Sequence, residues 1–311
     1  MFFFPYKLDV SLYRIPFLTA FVCLLCFLTF SRQMSADSHY LRRISTHCAQ
    51  AVDPNLQAIL SSTSADGEHR GCVENLLLLR SADAREATIA EMARQRSDLS
   101  FYADPAKDID YKSAKISSGF ADFERAVPPL MTDKLAYDPS HYDVVRMLTS
   151  TFAHASWSHL IGNLIFFFIF ASFVESAIGY VYYLLAFLLM AVTCSLAYSY
   201  SVGSAEGALP TVGLSGVVMG MLALITTLMP TARVRCLFWF LIFLRRFSLP
   251  LIVIALWYVG WDLYDHYASA GRSTINYVAH ISGAATGAVL GLLFRLVHAD
   301  RMRVLSAEME R

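Results

Sequence analysis

The chain has 311 residues, 56% of them hydrophobic and only 16% charged, with 25 Lys+Arg balanced by 25 Asp+Glu and a mean hydropathy of +0.47. That composition is too apolar for an ordinary water-soluble domain and marks a membrane protein. The balanced charge gives no reason to expect a nucleic-acid partner.

Residues 32–146 hold 14 of the 25 basic and 17 of the 25 acidic residues, so this block reads as a water-facing insert. Before it, Ile15 to Ser31 is an uncharged run of 17 positions, just long enough to span a hydrocarbon core. We read it as the first transmembrane helix. A cleaved signal peptide is the rival, since Lys7 and Arg14 precede the run, but no small-x-small cleavage pattern follows Phe30. Phe2, Phe3, Phe4 and Tyr6 fit a membrane interface.

Within the insert, helices are expected near Ser38 to Ala51 and Val73 to Arg96, separated by Asp53-Pro54 and the Ser61 to Gly71 stretch. Pro105, Pro128, Pro129 and Pro139 predict loops and short surface helices in its second half rather than a second compact domain. Cys48 and Cys72 are the insert's only cysteines; they pair as a disulfide if the insert faces an oxidising compartment, or stay free thiols if it does not. With His47 and His69 they also offer four zinc ligands, but adjacent His47-Cys48 is not a usual ligand spacing, so no metal and no cofactor is expected.

After the insert come uncharged runs of 28 residues (147–174), 30 residues (176–205) and 26 residues (207–232), each able to hold one spanning helix. Cys236 to Leu244 is too short to cross and reads as interfacial; Phe247 to Trp261 and Ser273 to Phe294 supply a fifth and a sixth span. The fifth is short, and its outer end is expected to run past Asp262 into a wet region. With six spans, Lys7, Arg14, Arg233, Arg235, Arg245, Arg246, Arg295, Arg301, Arg303 and Arg311 fall on one side, which the positive-inside rule assigns to the cytoplasm together with both termini. Arg272 is the one basic residue in the remaining short outer loops. The expected organisation is residues 1–32, an N-terminal segment and first helix; 33–145, an extracytoplasmic insert and first outer loop; 146–297, helices two to six; and 298–311, a cytoplasmic tail.

The polar residues of these spans carry the chemistry. His159 and Asn163, four apart, share a helix face, and His154 precedes them; buried polar groups of this kind serve as interhelical glue or line a wet cavity. Ser215 lies in Gly213-Leu214-Ser215-Gly216, and Pro210 with Gly213 predicts that a helix begins just before it, leaving backbone N–H groups beside the hydroxyl for a developing oxyanion. Gly283, Gly287 and Gly291 form a four-residue stripe that permits close helix approach, and His280 adjoins it at the same outward depth as Ser215. A serine hydroxyl needs a base to become nucleophilic, and an imidazole is the usual one, so Ser215 and His280 read as a nucleophile and its base.

These three motifs, Gly213-x-Ser215-Gly216, His154-x4-His159-x3-Asn163 and Ala279-His280-x2-Gly283-x3-Gly287, resemble those of the rhomboid family of intramembrane serine proteases, over roughly residues 140–297. The resemblance implies an all-α polytopic bundle of six transmembrane helices, with a long extracytoplasmic insert between helices one and two. It implies that Ser215 attacks the scissile carbonyl, that His280 is general base and then acid, and that His159, Asn163 and the Ser215 N–H form the oxyanion hole. His154 supports them, and the partners are transmembrane protein substrates in a lipid bilayer, reaching the site between the second and fifth helices past aromatics such as Trp157 and Trp261. A bacterial inner membrane is the location the bare six-helix core implies. The family works with a dyad, and no Asp or Glu adjoins either catalytic position in the sequence. Two departures stand out: Val145-Arg146 where a Trp-Arg pair is common, and Met219 where an aromatic often follows the serine by one turn. A catalytically inactive, client-binding relative and a histidine-lined transporter are the alternatives; the chain has no inverted repeat to favour the second. Oligomeric state is not legible here.

Overall fold

The computed structural model describes residues 2–8, 15–61, 68–82, 84–96, 98–203, 208–240, 243–269, 273 and 275–300. Arg14, Arg272 and the tail from residue 301 lie outside the described residues, as do the side chains of Phe2, Phe3, Phe4, Tyr6, Lys7 and His69. The chain divides into two compact units, one of Met1–Gln33 with Thr132–Arg311 and one of Met34–Met131.

The first unit opens with a strand β1 (Phe2–Leu8) and a helix α1 (Phe17–Asp37), whose last residues belong to the second unit. The second unit holds α2 (Tyr40–Gln50), α3 (Pro54–Leu60), α4 (Glu68–Ser81), α5 (Arg85–Gln95) and α6 (Pro105–Ala126). The chain then returns to the first unit through α7 (Met131–Leu135), α8 (Val144–Thr149), α9 (Trp157–Ile178), α10 (Tyr180–Val202), α11 (Ser215–Leu228), β2 (Arg233–Phe240), β3 (Phe243–Pro250), α12 (Leu251–Ser269) and α13 (Tyr277–Val297).

The second unit corrects the expectation that the second half of the insert holds only loops and short helices and forms no compact domain. Its longest helix, α6, has 22 residues and begins where prolines were expected to break structure. Asp104 accepts the Ala106 N–H as N-cap and Pro105 occupies the first turn, where its missing N–H costs nothing. Ile44, Leu60, Leu76, Leu79, Ile116 and Phe123 bury themselves in a core of the unit's own. Cys48 and Cys72 are joined in a disulfide within that core. That bond uses both sulfurs and so removes the thiolates a zinc site would need. The Val73 to Arg96 helix is two helices, α4 and α5.

Among the described residues, four stretches are long and apolar enough to cross a membrane: Phe17–Gln50, which runs on into the second unit, α9, α10 and α13. Exposed Phe21, Leu24, Ile161, Phe168, Leu185, Leu189, Leu292 and Leu296 give these helices an apolar outer surface suited to lipid. At the centre stands α11, whose residues from Gly216 to Thr226 are all buried. With 14 residues it spans only about 21 Å, well short of a hydrocarbon core of about 30 Å. Its neighbour α13 touches it backbone to backbone: a Cβ on Gly283 or Gly287 would overlap the carbonyl of Gly216 or Gly220. The glycine stripe thus sets the spacing of the two helices that carry Ser215 and His280.

The amino end of α1 is tied to the far end of α9. The buried carboxylate of Glu175 accepts the N–H groups of Leu18 and Thr19 at 2.9 and 2.7 Å and the Thr19 hydroxyl at 2.6 Å. This satisfies donors that the helix itself leaves open.

The fold is not all-α. β1, β2 and β3 form an antiparallel sheet in that order, with Leu8 opposite Val234, Arg233 opposite Pro250 and Phe240 opposite Phe243. The segment Cys236 to Leu244, expected to lie at the interface, contributes the end of β2 and the start of β3. The alternation along β2 explains this: Arg233 and Arg235 point out while Val234 and Cys236 are buried, a period of two that a search for apolar spans overlooks. Pro5 is tolerated because β1 is an edge strand.

Candidate active site

Ser215 is the first residue of α11, following Leu214, which supplies no side-chain cap. The first intrahelical bond runs from Val218 N–H to the Leu214 carbonyl, so the N–H groups of Ser215, Gly216 and Val217 precede it and belong to the open end of the helix. Two residues upstream, Gly213 has φ +129°, a conformation that side chains disfavour, and its N–H donates to the Ser150 carbonyl at 2.9 Å. A Cβ there would lie 2.8 Å from Cε1 of His159. Only glycine lets the turn before Ser215 run this close to that ring.

His280 lies in the first turn of α13, which Asn276 caps by accepting the Ala279 N–H at 3.0 Å. Its Nε2 is 2.8 Å from the Ser215 hydroxyl oxygen. Its other ring nitrogen, Nδ1, is 3.0 Å from Oδ2 of Asp262 on α12, and both side chains are about one-sixth exposed, at 16% and 15%. Asp262 was not among the residues singled out from sequence, and the absence of an acidic neighbour in the chain did not carry over to space. A signal was present: Asp262 and Asp265 are two carboxylates three residues apart on an otherwise apolar helix, and ionisable residues in such helices face inward or toward water.

Asn163 is buried on α9, and its Nδ2 has no protein partner among the described residues. His159, whose N–H is capped by Ser156 at 3.2 Å, sits beside it. His154 lies edge-on to His159 with ring centroids 5.2 Å apart. Its backbone is held by Gln33 of α1, whose side-chain Nε2 donates to the His154 carbonyl at 2.8 Å and whose Oε1 accepts the His154 N–H at 3.3 Å. Ser150, His159, Asn163, Gly213, Ser215, Asn276 and His280 line one cavity of about 780 Å³. Three separate stretches of chain therefore deliver a hydroxyl, an imidazole and unpaired donors to one open space.

The Rhomboid domain family matches residues 141–296, half of the chain. The chain belongs to the rhomboid family. A curated relative, Rhomboid-like protein 11, chloroplastic, of Arabidopsis thaliana, is 32% identical over 145 residues, which is 47% of this chain and 50% of that protein. The chain thus spans about half the length of the curated relative it matches.

Within this rhomboid the two sequence departures have structural settings. Arg146 pairs with Asp143, the N-cap of α8, at 3.7 Å, and Val145 is exposed. Met219 is buried in the core, while the His280 ring meets Tyr277 edge-on at 6.2 Å and Asp262 through its nitrogen. Trp157 and Trp261 are not brought together: Trp157 packs on Phe27 and Phe30 of α1, Trp261 stacks on Trp257, and Phe166 with Tyr258 forms the aromatic contact between α9 and α12 at 5.5 Å. The reason lies in helical phase, since Phe166 lies nine residues along α9 from Trp157, about half a turn round the helix.

Proposed function

We propose that this chain is an intramembrane serine endopeptidase that cleaves membrane proteins in or near their transmembrane segments. The observation that carries the reading is the 2.8 Å contact between Ser215 Oγ and His280 Nε2 inside a cavity that also holds an unpaired Asn163 amide donor. As Oγ forms its bond to the scissile carbonyl carbon, its proton passes to Nε2, and the carbonyl electron pair moves onto oxygen. In this reading the resulting oxyanion is met by Asn163 Nδ2, the His159 ring and the Ser215 N–H, from residues that line the cavity. His280 then returns the proton to the amide nitrogen as the C–N bond breaks, leaving an acyl ester on Ser215. A water then gives a proton to His280 Nε2 and attacks the ester, and as the bond to Oγ breaks Nε2 passes that proton to Oγ, releasing the acid and restoring both residues.

A peptide bond in a transmembrane helix is shielded by its own hydrogen bonds, so the substrate must unwind locally where water reaches it. The shortness of α11 supports this, because its 14 residues cover only about 21 Å of a hydrocarbon core of about 30 Å. In the arrangement we propose, α1, α9, α10, α11, α12 and α13 are six spans with both termini cytoplasmic, and residues 33–145 are extracytoplasmic. Substrate helices with weak helix formers near that side are the preferred class.

Cleavage of a single-span reporter in liposomes by the wild type, and none by Ser215→Ala or His280→Ala with unchanged thermal midpoints, is the expected result. Retained turnover by purified Ser215→Ala would sink the assignment. A wild type that binds the reporter but is not labelled at Ser215 by a fluorophosphonate would instead mark a client-binding relative without activity.

A further inference from the structure

We propose that Asp262 is a positioning residue for His280, so that this chain works with a Ser215-His280-Asp262 triad in place of a dyad. This rests on the protease reading. An imidazole can take the Ser215 proton only if Nε2 carries the lone pair, which requires the ring proton to sit on Nδ1. A carboxylate oxygen can only accept a hydrogen bond, and Asp262 Oδ2 stands 3.0 Å from Nδ1. The Asp262 contact therefore selects the tautomer in which Nδ1–H donates to the carboxylate and Nε2 faces the hydroxyl 2.8 Å away. It also stabilises the imidazolium that forms when the serine proton arrives. The proton goes no further: Asp262 stays a carboxylate throughout, and the Nε2 proton leaves with the amine.

The contact is built into the helix pair. Asp262 and Asp265 are three apart on α12, and Tyr277 and His280 are three apart on α13. Asp262 meets His280, while Tyr277 Oη donates to Asp265 at 3.4 Å, so two polar rungs join the helices in antiparallel order. The first rung aims the ring and the second holds the register. With no aromatic in its sequence, α11 offers the ring no stacking partner, and the α12 carboxylate supplies the orientation from the other side.

The test compares wild type, Asp262→Asn, Asp262→Glu and Asp265→Asn as purified full chains. It measures kcat and KM on the liposome reporter, the rate of fluorophosphonate labelling of Ser215, and the thermal midpoint. Asp262→Asn is expected to lower kcat and the labelling rate by about 100-fold or more, with KM within about twofold and the midpoint unchanged. Asp262→Glu recovers part of the rate, whereas Asp265→Asn, which loosens only the second rung, lowers kcat and labelling less than Asp262→Asn does. Equal labelling and kcat in Asp262→Asn would overturn the positioning role while leaving the protease reading in place, as would a rise in KM at constant kcat. If Asp262→Asn melts early, equal labelling by a folded Asp262→Glu and an Asp262→Ala overturns it as well. A wild type that neither cleaves nor labels overturns both readings.

Discussion

Replacing Gly213 with alanine tests whether the turn before Ser215 sets the oxyanion site. Two penalties follow from the geometry. The backbone at φ +129° is strained for any side chain, worth about 1 to 3 kcal/mol. The new Cβ would sit 2.8 Å from Cε1 and 3.0 Å from Nε2 of His159, whereas ordinary contact starts at 3.4 Å. The ring must retreat by about 0.6 Å, and a misplacement of about 1 Å can cost on the order of 100-fold in rate. We expect kcat to fall about 10- to 100-fold, with a lower thermal midpoint. A cycle with His159→Ala isolates the second penalty. Removing the ring alone should cost about 100- to 1,000-fold, as for other oxyanion donors, and in that background Gly213→Ala should lose most of its effect on kcat while keeping its effect on stability. Strict additivity in kcat would refute the argument, because it would mean that alanine at 213 does not act through His159.

Two further expectations concern the second unit. Reducing the Cys48–Cys72 bond, or replacing Cys48 with serine, reopens a 24-residue separation and should destabilise that unit by about 3 kcal/mol, seen as earlier proteolysis of residues 34–131 in the full chain. The Lys112 ammonium beside Asp108, helped by the Phe101 N–H, holds the Asp108 carboxyl below the usual carboxylate range. Its contribution to stability is therefore complete above the unfolded value of about 3.9 and is lost as pH falls through the lower folded value. Hydrogen exchange in this unit should accelerate over that acid window in the wild type and much less in Asp108→Asn; identical acid profiles would remove Asp108 from the explanation.

The helices of the first unit were legible wherever an uncharged run met a turn signal. Residues 176–205 contain α10, and Ser273 to Phe294 overlaps α13, because an uncharged run of this length suits a span. The close approach of α11 and α13 could be read from the spacing of Gly283, Gly287 and Gly291, since small residues at one-turn intervals have little other use. β2 escaped because a span search averages over the alternation of Arg233, Val234, Arg235 and Cys236. α6 escaped because Pro105 was read as a breaker without its Asp104 cap. Asp262 escaped for a deeper reason: the Asp262-Asp265 pair marks an inward or wet helix face, but the partner it meets, His280, lies 18 residues away and is reached only through helix packing.

The Glu175 carboxylate has a consequence for the making of the protein. The Leu18 N–H waits for a partner 157 residues further along. At ordinary synthesis rates of about 5 to 20 residues per second, that interval lasts on the order of 10 to 30 s. Throughout it, α1 is a lone apolar helix with an unfinished amino end, and whatever attends the nascent chain meets it in that form. The arrival of α9 closes that period, so the order of translation is written into the order in which the bundle can lock.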